Sequence, residues 1–277
     1  MNQIIAVVNQ KGGVGKTTTA INLATALAAV DKKTLLIDLD PQGNASTGFG
    51  ITIEKRELTS YDVVINDVTV IDAAIPTLVP KLDIVPSTVD LSGAEIELVS
   101  VQERETVLKN KIKDAQSRYE YILIDCPPSL GLLTLNALVA ADAVLIPLQC
   151  EFFALEGLSH LLKTLELVKA GLNPSLDING IVLTMYDRRN KLTELVENDV
   201  RGYMGDMVYK TVIPRSVRMS EAPSHGKPAL IYDFRSPGSQ GYIMLAKEML
   251  HRKRKRHLQN QELKNVELKT QELRRAS

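Results

Sequence analysis

The sequence predicts an α/β fold: a single domain built on a mostly parallel, twisted sheet with helices on both faces. Two observations carry that prediction. Short apolar runs rich in β-branched residues alternate with longer stretches of helical periodicity, which is the order of βαβ units. Several of the short runs lack apolar–polar alternation, as strands covered on both faces do. With 277 residues, 44% of them hydrophobic, the chain has enough material for one large core and needs no second domain.

Taken in order, strands are expected at 4–8, 34–38, 82–85, 121–125, 143–147, 180–185 and 208–213. Helices are expected at 16–30, 105–115, 130–140, 156–170, 192–203 and 239–254. Residues 45–80 show no sustained period and read as short helices and loops. Residues 1–250 form the expected domain. Residues 251–277 read as a basic tail, disordered or weakly helical. In that tail Leu258, Leu263, Leu268 and Leu273 recur every five residues. Such a period spirals round a helix and makes no single apolar stripe, which argues against both a coiled coil and a membrane-surface helix.

Formal charge is zero overall but unevenly spread. Nine Lys/Arg and three Glu give residues 251–277 a charge of +6, so the preceding 250 residues carry −6. A basic segment on a mildly acidic body suits a polyanionic partner, or is simply a solvated extension. Two cysteines, Cys126 and Cys150, argue for a reducing compartment and against a disulfide scaffold. No apolar stretch approaches the roughly 20 residues a membrane span needs, and the N-terminus runs straight into the first strand. The expectation is a cytoplasmic protein without a membrane partner.

The chemistry begins at residues 9–18, Asn-Gln-Lys-Gly-Gly-Val-Gly-Lys-Thr-Thr, directly after the first strand. A glycine run between strand and helix turns successive backbone N–H groups toward one point and cradles phosphate oxygens. Gly12, Gly13, Val14 and Gly15 supply that cradle, and Thr18 continues it. Lys16 reaches the outer phosphates, and the Thr17 hydroxyl holds Mg²⁺. The helix that starts there adds its N-terminal dipole. This is the phosphate-binding loop of a P-loop NTPase fold, with one departure. The common pattern has glycine six residues before the lysine, where this chain has Gln10. A second lysine, Lys11, precedes the glycines. It is either a solvated loop residue or a second cation for phosphate, placed too near its own loop to fold back easily.

Two acidic strand ends follow. Leu36-Ile-Asp-Leu-Asp-Pro-Gln-Gly-Asn44 places Asp38 and Asp40 where ligands bind in parallel α/β sheets, although such carboxylates also serve as structural caps. Tyr121-Ile-Leu-Ile-Asp-Cys-Pro-Pro128 is a Walker B pattern, with Asp125 expected near Mg²⁺ through a water.

The run Lys-Gly-Gly-Val-Gly-Lys-Thr-Thr resembles the "deviant Walker" ATPases, which include ParA/Soj partition proteins, MinD and the nitrogenase iron protein. Leu183-Thr-Met-Tyr-Asp-Arg-Arg-Asn-Lys-Leu192 and Ile213-Pro-Arg-Ser-Val-Arg-Met-Ser-Glu-Ala-Pro-Ser-His-Gly-Lys-Pro228 resemble the ParA/Soj branch specifically. With five motifs in order over about residues 1–250, the chain is identified as similar to chromosome and plasmid partition ATPases. That resemblance implies ATP and Mg²⁺ as cofactors and an ATP-dependent homodimer in which Lys11 touches the partner's nucleotide. It implies that Lys11, Lys16 and Asp40 are catalytic, with Asp40 orienting the attacking water, and that Asp38 supports Mg²⁺ through its shell. Met185 and Pro214 lie near adenine by the same resemblance. The resemblance further implies that Arg189 and Arg218, with Arg188, Lys191 and Arg215 as neighbours, belong to a surface for nonspecific nucleoid DNA. The resemblance also implies a centromere-binding, ParB-type partner protein that stimulates otherwise slow hydrolysis. The rival readings are a MinD-like membrane-associated ATPase, a scaffold with a vestigial loop, and a redox iron protein.

Overall fold

The structure is a computed structural model. It describes the backbone of residues 2–276 and the side chains of 2–256, 258, 259 and 261. Eight strands are present among the described residues: β1 (Gln3–Val7), β2 (Thr34–Asp38), β3 (Ile75–Pro76), β4 (Leu82–Val85), β5 (Tyr121–Asp125), β6 (Ala143–Gln149), β7 (Asp177–Tyr186) and β8 (Val208–Pro214). They make one sheet in the order β3-β4-β2-β5-β1-β6-β7-β8. Every pairing is parallel except β3 with β4.

The lack of alternation in the strands has the expected cause. In β1, Ile4 and Ala6 face one apolar layer while Ile5 and Val7 face the other. The first layer is closed by helices Leu132–Ala140 and Ala154–Gly171. The second is closed by the first helix, Lys16–Ala29, and the last, Pro237–Ala276. The Tyr242 and Thr19 hydroxyls, 3.0 Å apart, join those two helices in the core.

Several boundaries differ from expectation. The helix expected at 105–115 is two, Val107–Lys111 and Ala115–Arg118. Between them the ladder tightens to i+3 bonds, Gln116 to Lys113 and Ser117 to Asp114. Strands β6 and β7 run longer than the apolar pattern, because pairing continues to Gln149–Thr184. Strand β3 and the helix Leu91–Glu97 carry too few periodic residues to be read from the sequence.

The last helix begins at a proline, a favoured first position, and continues to Ala276 rather than ending at 254. The leucine period from 263 onward lies outside the described side chains. The cations after Leu250 turn partly inward. Arg252 donates to the Asp206 and Val208 carbonyls at 2.9 and 2.8 Å, pairs with Glu248 and stacks on Tyr209. Lys253 covers the Tyr121 ring, and Arg256 meets Asp177. Arg252 therefore clasps the start of β8, while Lys253 and Arg256 reach the starts of β5 and β7. Arg252→Ala should lower stability by about 1.5–3 kcal/mol, the scale of one lost hydrogen bond to a charged group, seen as a drop in thermal midpoint. An unchanged midpoint would return these cations to a purely solvated role.

Candidate active site

Strands β2, β5 and β1 are neighbours, and their registers align the site. Asp125 pairs with Asp38 on one side and Val7 on the other. The loop at 9–16, the acidic turn at 38–43 and Asp125 thus leave the carboxyl edge of the sheet at one level. That is the crevice where parallel α/β folds bind ligands.

The loop is held by a short-range polar contact and two long ties. Gly13 and Gly15 have φ of 77° and 89°, a region that disfavours residues with a Cβ. Asn9 donates to the Pro147 carbonyl at 2.7 Å and accepts from the Lys11 amide at 3.0 Å. The Thr184 hydroxyl donates to the Val14 carbonyl at 2.8 Å, pinning the loop to β7. Gly12 and Gly13 border open space, leaving room beside the cradle. Lys16 is 6% exposed, and its Nζ donates to the Lys11 carbonyl at 3.1 Å, so it curls over its own loop. Burial lowers its pKa, while Asp125 and Asp40 oppose that shift.

The three carboxylates divide the work. Asp38 is fully buried, and its Oδ2 accepts from the Ser46 amide at 2.8 Å and hydroxyl at 2.6 Å. Burial pushes its pKa up to about 6. It is committed to the turn and the short helix Asn44–Gly48 that follows, so any support to a metal is indirect. Asp40 accepts from the Gln42 amide at 3.0 Å and is 7% exposed. Asp125 is the odd member. Both its oxygens are buried without a hydrogen-bond partner. Burial first, then Asp38 and Asp40, push its pKa well above the ordinary carboxylate value; Thr17 and Lys16 pull the other way. An orphaned carboxylate beside the Thr17 hydroxyl fits Mg²⁺, a hard cation that takes oxygen ligands, retains waters and shares phosphates.

Met185 and Pro214 line one cavity of about 420 Å³ with Gly15, Thr18 and Tyr242. It opens beside the loop. Lys11 forms an ion pair with Glu151, both groups partly exposed. Arg189 and Arg218 follow the carboxyl ends of neighbouring strands β7 and β8. Arg189 is 89% exposed and forks onto Asp187 with two contacts of 2.9 Å. Arg218 pairs with Glu221 at 2.8 Å and Asp233 at 3.4 Å. Exposed pairs of this kind are weak and readily exchanged for another anion.

Sequence reasoning missed Arg56, Ser46, Glu151 and Thr184. Buried Arg56 donates to the Ile51 and Ser87 carbonyls and to the Thr47 hydroxyl, which locks the segment after Asp40. It sits in the aperiodic stretch, where no spacing signals a role. A close backbone approach joins that segment to the C-terminal motif. Gly50 and Gly226, with φ of 72° and 60°, approach so closely that a Cβ on Gly226 would lie 2.7 Å from the Gly50 Cα.

Residues 2–178 match a protein family described as an AAA domain. The chain is 57% identical to the chromosome partitioning protein ParA of Caulobacter vibrioides over 256 residues, covering 92% of this chain and 96% of that one. It is 55% identical to the sporulation initiation inhibitor protein Soj of Bacillus subtilis, covering 90% and 98%. Among solved structures, cobyrinic acid a,c-diamide synthase from Mycobacterium smegmatis with bound ADP and magnesium superposes with a TM-score of 0.79 at 35% identity, covering 90% and 94%.

Proposed function

The chain belongs to the ParA/Soj family of partition ATPases, and from that premise we propose that it is a nucleotide-driven DNA switch. ATP and Mg²⁺ are its cofactors. The observation that carries the reading is the convergence of Lys16, Thr17, Asp40 and orphaned Asp125 on one sheet edge that also bears Arg189 and Arg218.

The phosphates of ATP lie in the Gly12–Thr18 cradle, with Lys16 on the outer phosphates and the base between Met185 and Pro214. Thr17 and Asp125 hold the Mg²⁺, with Asp38 bracing the turn behind them. When bound, the metal neutralises phosphate charge. Asp40 orients the water that attacks the terminal phosphate. Little covalent help is needed for phosphoryl transfer, so positioning a water suffices. Lys11 leaves Glu151 and reaches the partner's nucleotide when two ATP-bound subunits meet. The dimer joins two basic edges and holds nucleoid DNA through its phosphates, without reading bases. A ParB-type partner accelerates hydrolysis and releases it.

The test is DNA binding by fluorescence anisotropy with ATP, with ADP and without nucleotide, on two unrelated duplexes. Binding is expected with ATP only, equally on both duplexes, and falling with salt. Lys11→Ala should keep ATP affinity but lose both dimerisation and DNA binding. Arg189→Ala and Arg218→Ala should each reduce the log–log salt slope by about one. Equal DNA affinity in ATP and ADP would refute the switch. A Lys11→Ala protein that dimerises with ATP would refute the cross-subunit role.

A further inference from the structure

The end of β7 holds an unexplained strain. Met185, a residue with a Cβ, has φ of 48°. Left-handed backbone in such a residue costs on the order of 1 kcal/mol or more and persists only where its surroundings over-determine it, commonly at a ligand clamp. Here both neighbours are anchored. Thr184, before it, is bonded to the Val14 carbonyl of the phosphate loop. Tyr186, after it, is held at two points. Its carbonyl accepts from the Arg215 amide at 3.1 Å, next to Pro214. Its hydroxyl donates to Glu197 on the helix Lys191–Met204.

Glu197 is itself fixed. Its Oε1 accepts from Arg201 Nε at 2.7 Å, and Arg201 Nη1 donates to the Tyr209 carbonyl of β8 at 3.1 Å. Burial would raise the Glu197 pKa, but Tyr186 and Arg201 outweigh it and hold the carboxylate ionised. The hydroxyl bond to Glu197 in turn pushes the Tyr186 pKa up to about 12. A tyrosine donating to a fixed carboxylate is a strong, directional tether. The Tyr186 ring does not line the 420 Å³ cavity, whereas Met185 does.

We propose that Tyr186 is a positioning residue for the nucleotide: tethered through Glu197, it holds Met185 in its strained pose against the purine and so sets base preference. This rests on the reading of that cavity as the base pocket of an ATPase. The phosphate loop grips any triphosphate alike. Discrimination between bases then comes from the end of β7, whose geometry depends on a helix outside the pocket.

The experiment compares wild type, Tyr186→Phe and Glu197→Gln. A fluorescent ATP analogue is displaced by ATP, by GTP and by inorganic tripolyphosphate, alongside steady-state hydrolysis. Tyr186→Phe should weaken ATP roughly five- to tenfold, less than the full cost of a lost hydrogen bond to a charged group because the bond is one step removed from the nucleotide, and raise KM equally with kcat within about twofold. GTP and tripolyphosphate should bind as they do to wild type, so the ATP-over-GTP preference shrinks. Glu197→Gln, which still accepts the hydroxyl, should restore near-wild-type affinity. Unchanged ATP affinity in Tyr186→Phe overturns the proposal. Equal weakening of all three competitors also overturns it, because that marks a general loosening. A fall in kcat with KM unchanged overturns it as well. If the wild-type protein itself does not prefer ATP to GTP, the base-pocket reading fails instead, before any variant is considered.

Discussion

Lys16→Ala should bind ATP at least about a hundredfold more weakly than wild type, since two charge-assisted contacts to phosphate are worth about 1.5–3 kcal/mol each. The side chain is buried in the loop and donates to the Lys11 carbonyl. It is therefore preorganised over the cradle and loses little freedom when nucleotide arrives. The folded protein should survive the change, because burial already disfavours the charged lysine. The checks are calorimetric titration with ATP, phosphate release, and a circular dichroism melt without ligand. A variant that melts normally yet binds ATP within tenfold of wild type would remove Lys16 from the outer phosphates.

Asp125→Asn should do two opposite things. Without ligand, the ionised carboxylate is buried, unbonded and near two others. Its folded-state pKa lies above the unfolded one, so the fold favours the protonated form. Ionisation then costs stability as pH rises through the ordinary carboxylate range and above it, and costs nothing below about pH 3, where both states are neutral. Replacing it by the neutral amide should raise the ligand-free melting temperature at pH 8 by about 3 °C or more, with the advantage vanishing near pH 3. The same variant should lose the stabilisation that Mg²⁺ and ATP give wild type by mass action. A variant less stable than wild type at pH 8 without ligand would show that the carboxylate is not strained. One that Mg²⁺–ATP still stabilises fully would remove it from the metal site.

Both residues are legible in the amino-acid sequence alone, and the reason is local. A glycine run, a lysine and an acid at a strand end each leave a mark within a few adjacent positions, and the sheet register then brings them together. The main strands are legible for the same reason, since continuous β-branched runs declare burial on both faces. What stays hidden depends on separation in sequence. Arg56 serves the Asp40 turn from a stretch without period. Glu151 holds Lys11 from 140 positions away, and Thr184 reaches Val14 from 170. The division of labour among Asp38, Asp40 and Asp125 is also invisible there, because only three-dimensional packing shows that Ser46 claims Asp38 and leaves Asp125 bare. The basic run after Leu250 misleads for a related reason. Charge counts along a chain do not show which cations fold back onto backbone carbonyls.

The contact between Gly50 and Gly226 has a practical consequence for anyone instrumenting this molecule. With two main chains touching and no side chain between them, the segment downstream of Asp40 and the segment bearing Arg218 behave as two plates riveted at one point. A dye, tag or loop insertion at 47–51 or 222–228 would pry them apart and report its own damage. A reporter for motion at that edge belongs on the far side of the rivet, on the exposed Arg189 turn, where a probe can follow the surface without separating the plates.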